Sequence, residues 1–177
     1  MRVLLAYFSF TGNTEKVSLE ILKHLQASGV KCDVFKIEPL INLKYPFWLF
    51  LSFVPSLPFP VKNLNSLNLK DYNALILGSP KWTFNCPPIT YFIHFLKRLG
   101  FGNSFKIFLF LTYGGFREDV YLKKLKIKLE KIGFDVPIVW KFKRRKIQEG
   151  KVDAEIQKFC SEILASINPS DSNISKP

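Results

Sequence analysis

Apolar and polar positions alternate along this chain between short hydrophobic runs and stripes at helical spacing. Val3-Leu4-Leu5-Ala6-Tyr7-Phe8 is an unbroken apolar run, as expected of a strand covered on both faces. After a polar, glycine-containing turn, Val17, Ile21 and Leu25 recur at helical spacing and predict a helix ending near Gly29. Cys32 to Ile37 alternates like a second strand, and Ala74-Leu75-Ile76-Leu77 is a third, stopped by Gly78-Ser79-Pro80. Pro87 and Pro88 suit a helix start, Ile89, Phe92, Ile93, Leu96 and Leu99 supply its apolar face, and Gly100 its exit. Lys106–Leu111 and Phe134–Phe142 read as strands four and five. The helix between them alternates Leu122, Leu125, Ile127, Leu129 and Ile132 with lysines. Val152, Ile156, Phe159, Ile163 and Ile167 mark a last helix. Strands alternating with helices predict an α/β, doubly wound three-layer sandwich around a five-stranded parallel sheet in the order 2-1-3-4-5. One domain is expected over residues 1–167, and a flexible polar tail over 168–177.

One stretch breaks the rhythm. Between strands two and three, about residues 40–68, the expected helix is replaced by a longer apolar insertion centred on Phe47-Trp48-Leu49-Phe50-Leu51-Ser52-Phe53-Val54 and closed by Pro55, Pro58 and Pro60. The run is too short to span a bilayer. Four readings stay open: a short helix buried on the sheet, a self-association surface making a homo-oligomer, a flap near a ligand, or a peripheral membrane contact through residues 47–54.

Composition adds charge to this picture. An apolar content of 47% and a charged content of 23% are ordinary for a globular protein, but the net charge of +12 is not. It favours an acidic partner, an anionic surface or phosphates. The excess gathers in Lys123, Lys124, Lys126, Lys128 and Lys131, and again in Lys141, Lys143, Arg144, Arg145 and Lys146. The first group is read as the solvated face of an amphipathic helix; the second follows a strand and could contact nucleic acid or phosphate, but the general rule for such runs favours a solvated rim, and no nucleic-acid partner is expected. Cys32, Cys86 and Cys160 are widely spaced, and no cluster with metal-ligand spacing occurs, so no metal is expected. Reduced thiols and the absence of a signal-peptide layout suggest a cytoplasmic setting. His24 and His94 fall in helix patterns and are assigned to surface or packing, and Cys86 to packing.

In a sheet of this order, ligands sit beyond the carboxyl ends of the strands at the switch point beside strand one. The first loop there reads Ser9-Phe10-Thr11-Gly12-Asn13-Thr14, a dense set of hydroxyls, an amide and a glycine at a helix N-terminus. Backbone N–H groups and the helix dipole favour a phosphate at such a place. Neither a Walker lysine nor a GxGxxG pattern is present, which argues against a nucleoside triphosphate or a Rossmann dinucleotide. Strand one ends in Phe8-Ser9 rather than in an aspartate, which argues against a phosphoacceptor receiver. The loops after strands three and four, Ser79-Pro80-Lys81-Trp82-Thr83-Phe84 and Thr112-Tyr113-Gly114-Gly115-Phe116, add aromatics and glycines. A flat heteroaromatic ring needs apolar surface on its faces and hydrogen bonds at its edges. Trp82 and Tyr113, with Phe84 or Phe116 as substitutes, can supply the faces, and the backbone around Gly78, Ser79, Gly114 and Gly115 the edges.

The first loop resembles the S/T-x-T-G-N-T phosphate loop of the flavodoxin family, and the other two are similar to that family's second and third flavin loops. The resemblance spans about residues 1–165 apart from the insertion. It implies FMN as cofactor, with Ser9, Thr11, Asn13, Thr14 and the Gly12 backbone on its phosphate. It also implies an electron-transfer carrier or FMN-dependent oxidoreductase working with a redox partner protein or a small electron acceptor. No side chain is assigned as a catalytic acid or base. The positive charge departs from the family's usual acidity and points to an acidic partner. Two alternatives remain: an NAD(P)H-dependent quinone reductase, and a flavin-free basic interaction module.

Overall fold

The computed structural model describes residues 1–100 and 105–167. The expected flexible tail at 168–177 lies outside the described residues. Five strands, β1 (Arg2–Tyr7), β2 (Lys31–Lys36), β3 (Ala74–Pro80), β4 (Lys106–Tyr113) and β5 (Val139–Lys143), form one sheet in the order β2-β1-β3-β4-β5. Every pairing is parallel, with Val3 opposite Cys32 on one side and Ala74 on the other. The expected order is therefore the observed one.

Alternation along the strands sends successive side chains to opposite faces. Leu4, Ala6, Leu75 and Leu77 join one core with α3 (Pro87–Leu99) and α4 (Glu118–Glu130). Val3, Leu5, Ile76, Phe108 and Phe110 join the other with α1 (Asn13–Ala27) and α6 (Asp153–Ile167). Each fully buried aliphatic or aromatic side chain contributes roughly 1.5–3 kcal/mol relative to exposure. Two filled faces thus hold the strand ends in a fixed plane. In α4, Leu122, Leu125 and Leu129 are buried at i, i+3 and i+7 spacing, whereas Ile127 falls off that stripe and is exposed.

Three local features differ from expectation. The fifth strand begins at Val139 rather than Phe134. Pro137 supplies no N–H, and the segment before it makes only an isolated bridge, Asp135 opposite Lys106, with Ile107 N–H donating to the Asp135 carbonyl at 2.8 Å. The basic run after β5 forms a short helix, α5 (Arg144–Gln148), anchored by buried Ile147. The insertion forms α2 (Tyr45–Ser52) followed by irregular chain, and α2 is not buried on the sheet. Only Trp48 and Ser52 of α2 are buried, while Phe47, Phe50 and Phe53 face outward.

The insertion is nonetheless tied down. Leu40 N–H donates to the Pro60 carbonyl at 2.8 Å and Lys62 N–H to the Glu38 carbonyl at 2.8 Å, closing its base. Trp48 fills the space under α2, with its ring centre 4.8 Å from Phe59, 6.2 Å from Phe8 and 5.9 Å from Trp82. No helix among the described residues is long and apolar enough to cross a membrane.

Candidate functional site

The loops that follow β1, β3 and β4 meet α2, the start of α4 and the start of α5 around a cavity of about 480 Å³. That size falls within the usual range for cofactor sites. It lies beyond the carboxyl ends of the strands, where the strand order reverses between β1 and β3.

The first loop forms its floor. Phe10, Thr11 and Asn13 line the cavity, and the Asn13 side-chain amide donates to Thr11 Oγ1 at 2.8 Å, fixing the turn. Gly12 occupies the left-handed region at φ 79° as N-cap of α1, a conformation that side chains resist. With no capping side chain, the first-turn amides of α1 are left to an external acceptor. Ser9 Oγ is buried without a hydrogen-bond partner among the described residues. An unsatisfied buried hydroxyl beside open amides is chemistry that suits a phosphate.

Thr14 behaves differently. Its side chain is buried, and its Oγ1 is 2.8 Å from Thr112 Oγ1, so one hydroxyl donates and the other accepts across the first and third loops. This pair joins the two loops from beneath. Lower still, Tyr7 donates to Glu15 at 3.1 Å and Lys36 pairs with the same carboxylate at 2.8 Å, holding it below the usual carboxylate range.

The second loop contributes Pro80, Lys81, Trp82, Thr83 and Phe84 to the lining. Lys81 N–H donates to the Thr112 carbonyl at 2.7 Å, so this loop is also fastened to the third. Trp82 is half-buried and held edge-on by Phe10 (5.9 Å) and Trp48 (5.9 Å). A ring fixed on its other edges can offer a flat surface at little entropic cost. Ser52, at the end of α2, completes the brace: its carbonyl accepts from Phe84 N–H at 3.0 Å and Asn85 N–H at 3.1 Å, and its hydroxyl donates to the Leu49 carbonyl at 2.6 Å and lies 3.1 Å from Thr83 Oγ1, from which it can accept. The Asn85 side chain donates to the Leu57 carbonyl at 2.7 Å.

The third loop contributes Thr112, Tyr113, Gly115 and Phe116. Phe116 and Arg117 both sit at positive φ, 76° and 54°, which side chains other than glycine seldom adopt. The consequence is a 77% exposed Phe116 ring with the Arg117 guanidinium 5.3 Å from its centre.

Five of the expected site residues do not line the cavity: Ser9, Thr14 and Ser79 stand behind the lining, and Gly12 and Gly114 are exposed beside it. Ser79 is fully buried and donates to the Pro80 carbonyl at 3.1 Å. Gly78 serves the core instead of a ligand edge: a Cβ there would lie 2.3 Å from Phe110 Cζ. Gly114 is exposed, and a Cβ there would lie 3.5 Å from Arg144 Cζ.

The lining also holds residues that sequence reasoning left out of the site, namely Tyr45 and Leu49 from α2, Arg117, Val120, Tyr121 and Lys124 around the start of α4, and Arg144 from α5. Arg144 follows the carboxyl end of β5, so extending the strand-end rule by one strand would have found it. Tyr121 and Lys124 lie one and two turns beyond Arg117, and helical spacing from the third loop would have found them. Tyr45 and Leu49 belong to the insertion, for which a flap near a ligand is one of the open readings, but no local pattern singles out these two side chains. The Tyr121 phenol is raised well above its ordinary value, by burial first and neighbouring Cys86 second, so it remains protonated. Lys81, Arg117, Lys124 and Arg144 line the cavity together with no carboxylate among the lining residues. Cys86 is buried at the N-cap of α3 and burial pushes its thiol up to about 12, as befits an inert packing residue.

No family model matches the chain. An uncharacterized protein of Archaeoglobus fulgidus is 33% identical over 157 residues, which are 88% of this chain and 96% of that protein. Among solved structures, a flavoprotein from Lactobacillus acidophilus in complex with FMN superposes with a TM-score of 0.63 at 14% identity, covering 84% of this chain and 97% of its own. Oxidised flavodoxin 2 from Bacillus cereus gives 0.63 at 18% identity, covering 96% and 99%. Two-electron reduced flavodoxin from Megasphaera elsdenii gives 0.59 at 18% identity, covering 90% and 98%. The fold is thus flavodoxin-like.

Proposed function

Because the chain belongs to one family with the Archaeoglobus fulgidus protein and carries the flavodoxin-like fold, we propose that it binds FMN and works in electron transfer, as a carrier or as a reductase. The observation that carries the reading is the uncapped N-terminus of α1 at an aromatic-lined cavity floored by Phe10, Thr11 and Asn13, with the buried, unpartnered Ser9 hydroxyl just behind that lining. A phosphate there satisfies the hydroxyl and the amides together. The FMN-bound Lactobacillus acidophilus structure supports the choice of ligand.

Ser9, Thr11, Asn13 and the Gly12 backbone would hold the phosphate, and Trp82 and Tyr113 the faces of the ring. FMN would supply the electron-accepting ring, while the chain binds it, orients it and surrounds it with positive charge. The three buried, free thiols suit a reducing, cytoplasmic setting. An acidic redox protein or a small acceptor fits the four cations around the cavity.

The test is the absorbance spectrum of the purified protein, mass identification of the released cofactor, and titration of the stripped protein with FMN and riboflavin. FMN should bind at least ~tenfold more tightly than riboflavin, since hydrogen bonds to a charged group contribute ~1.5–3 kcal/mol each. Equal affinities would remove the phosphate from this loop, and no flavin binding would overturn the proposal. Steady-state NAD(P)H oxidation with a quinone then separates a reductase from a carrier.

A further inference from the structure

Beside the cavity, α2 and the second and third loops present apolar rings to water. Phe47 and Phe50, 60% and 72% exposed, project from α2 at i, i+3 spacing, and exposed Phe53 just beyond the helix continues the row. Phe53 meets exposed Phe84 of the second loop at 6.1 Å, and Phe116 stands out from the third. Residues 45–61 contain no charged side chain. Trp48 and Ser52 anchor α2 from its inner side, so its outer face is free of any packing duty. A surface of this kind, left uncovered, marks an interaction site.

Charge identifies the occupant. Lys44 is the N-cap of α2, and Lys81, Arg117, Lys124 and Arg144 share the cavity lining with Tyr45 and Leu49 of that helix. None of the five takes part in a salt bridge among the described residues, while the nearby carboxylates of Glu118 and Asp119 are engaged by Lys141. Outward aromatic rings beside unpaired cations match the chemistry of a segment lying in the headgroup layer of an anionic bilayer. A second copy of the chain fits less well, because a symmetric contact would press these cations together between two proteins of net charge +12.

We propose that α2, the second-loop Phe84 and the third-loop Phe116 dock the protein on an anionic membrane surface. The rings enter the acyl boundary and the cations meet lipid phosphates. The docking itself does not rest on the flavin reading, since the assay below needs no redox chemistry.

The experiment is co-sedimentation of the full chain with vesicles of phosphatidylcholine alone and of phosphatidylcholine containing phosphatidylglycerol. The protein should pellet with the mixed vesicles and remain largely in solution with the neutral ones. Phe47→Ser and Phe50→Ser, both at exposed positions, should each weaken partitioning ~tenfold with the thermal midpoint unchanged. A Phe50→Cys variant carrying an environment-sensitive dye should show blue-shifted emission on addition of mixed vesicles. No sedimentation would overturn the proposal. So would phenylalanine variants that bind as well as the parent with no dye shift, the behaviour of a basic protein held by charge alone. A dimer in sedimentation velocity that dissociates on Phe50→Ser would assign the face to a second copy.

Discussion

Replacing Thr14 by valine separates the part of the first loop that holds the fold from the part expected to hold a phosphate. The Thr14 and Thr112 hydroxyls are 2.8 Å apart and both side chains are buried. Thr14→Val keeps the branching at Cβ but leaves the Thr112 hydroxyl buried without this partner. An orphaned buried hydroxyl costs ~1–3 kcal/mol, and Thr112→Val should cost a similar amount by leaving Thr14 unpaired. Replacing both removes donor and acceptor together, a change that is often nearly neutral when shape is retained. The double variant should therefore recover most of what either single variant loses, giving a coupling energy of ~1–3 kcal/mol. Urea unfolding of the flavin-free protein measures this, provided the slope is unchanged among the four proteins. In FMN titrations Thr14→Val should have little effect, because its hydroxyl is committed to Thr112. Thr11→Val should lose ~tenfold in FMN affinity and little in riboflavin affinity. Additive single losses would show that the two hydroxyls do not act as a pair. A loss in Thr14→Val that is large for FMN and absent for riboflavin would show that its hydroxyl faces the phosphate after all.

Gly78→Ala should destabilise the protein by ~1–3 kcal/mol through overpacking, because its Cβ would sit 2.3 Å from a Phe110 ring already flanked by Phe142 and Phe159; Phe110→Leu in the same chain should restore part of the loss, and an unchanged unfolding curve would refute the close approach. Burial raises the thiols of Cys32, Cys86 and Cys160 from 9.0 to about 12, so their contribution to stability is full below about 9 and is lost as pH rises toward about 12. The melting midpoint should fall across that window, and the native thiols should resist alkylation until denaturant is added; rapid labelling of the folded protein would contradict this. Lys81→Glu should lower the midpoint potential of bound FMN by introducing negative charge at the cavity, with an effect that shrinks as salt rises; an unchanged potential in a redox titration at low salt would show that Lys81 lies too far from the ring.

The elements were legible in the sequence, because strands buried on both faces leave continuous apolar runs and amphipathic helices leave stripes at 3.6-residue spacing, and the alternation of the two implied the strand order. Ser9-Phe10-Thr11-Gly12-Asn13-Thr14 was equally legible, since a phosphate turn is one continuous segment at one helix end. The roles within it were not. Thr11 and Thr14 look interchangeable in the chain, yet one faces the cavity and the other is paired with Thr112, 98 positions away. Gly78 looked like a ligand glycine until the Phe110 ring on the neighbouring strand accounted for it. Arg144 looked like one more solvated cation until pairing of β4 with β5 brought it beside Gly114. The outward turn of Phe47, Phe50 and Phe53 depends on Trp48 finding its place among Phe8, Phe59 and Trp82. Local pattern settles which segments form elements, because backbone hydrogen bonding and burial act over a few residues. The use of a particular hydroxyl, ring or cation depends on neighbours that only chain crossing brings within a few ångströms, and that tertiary structure alone decided.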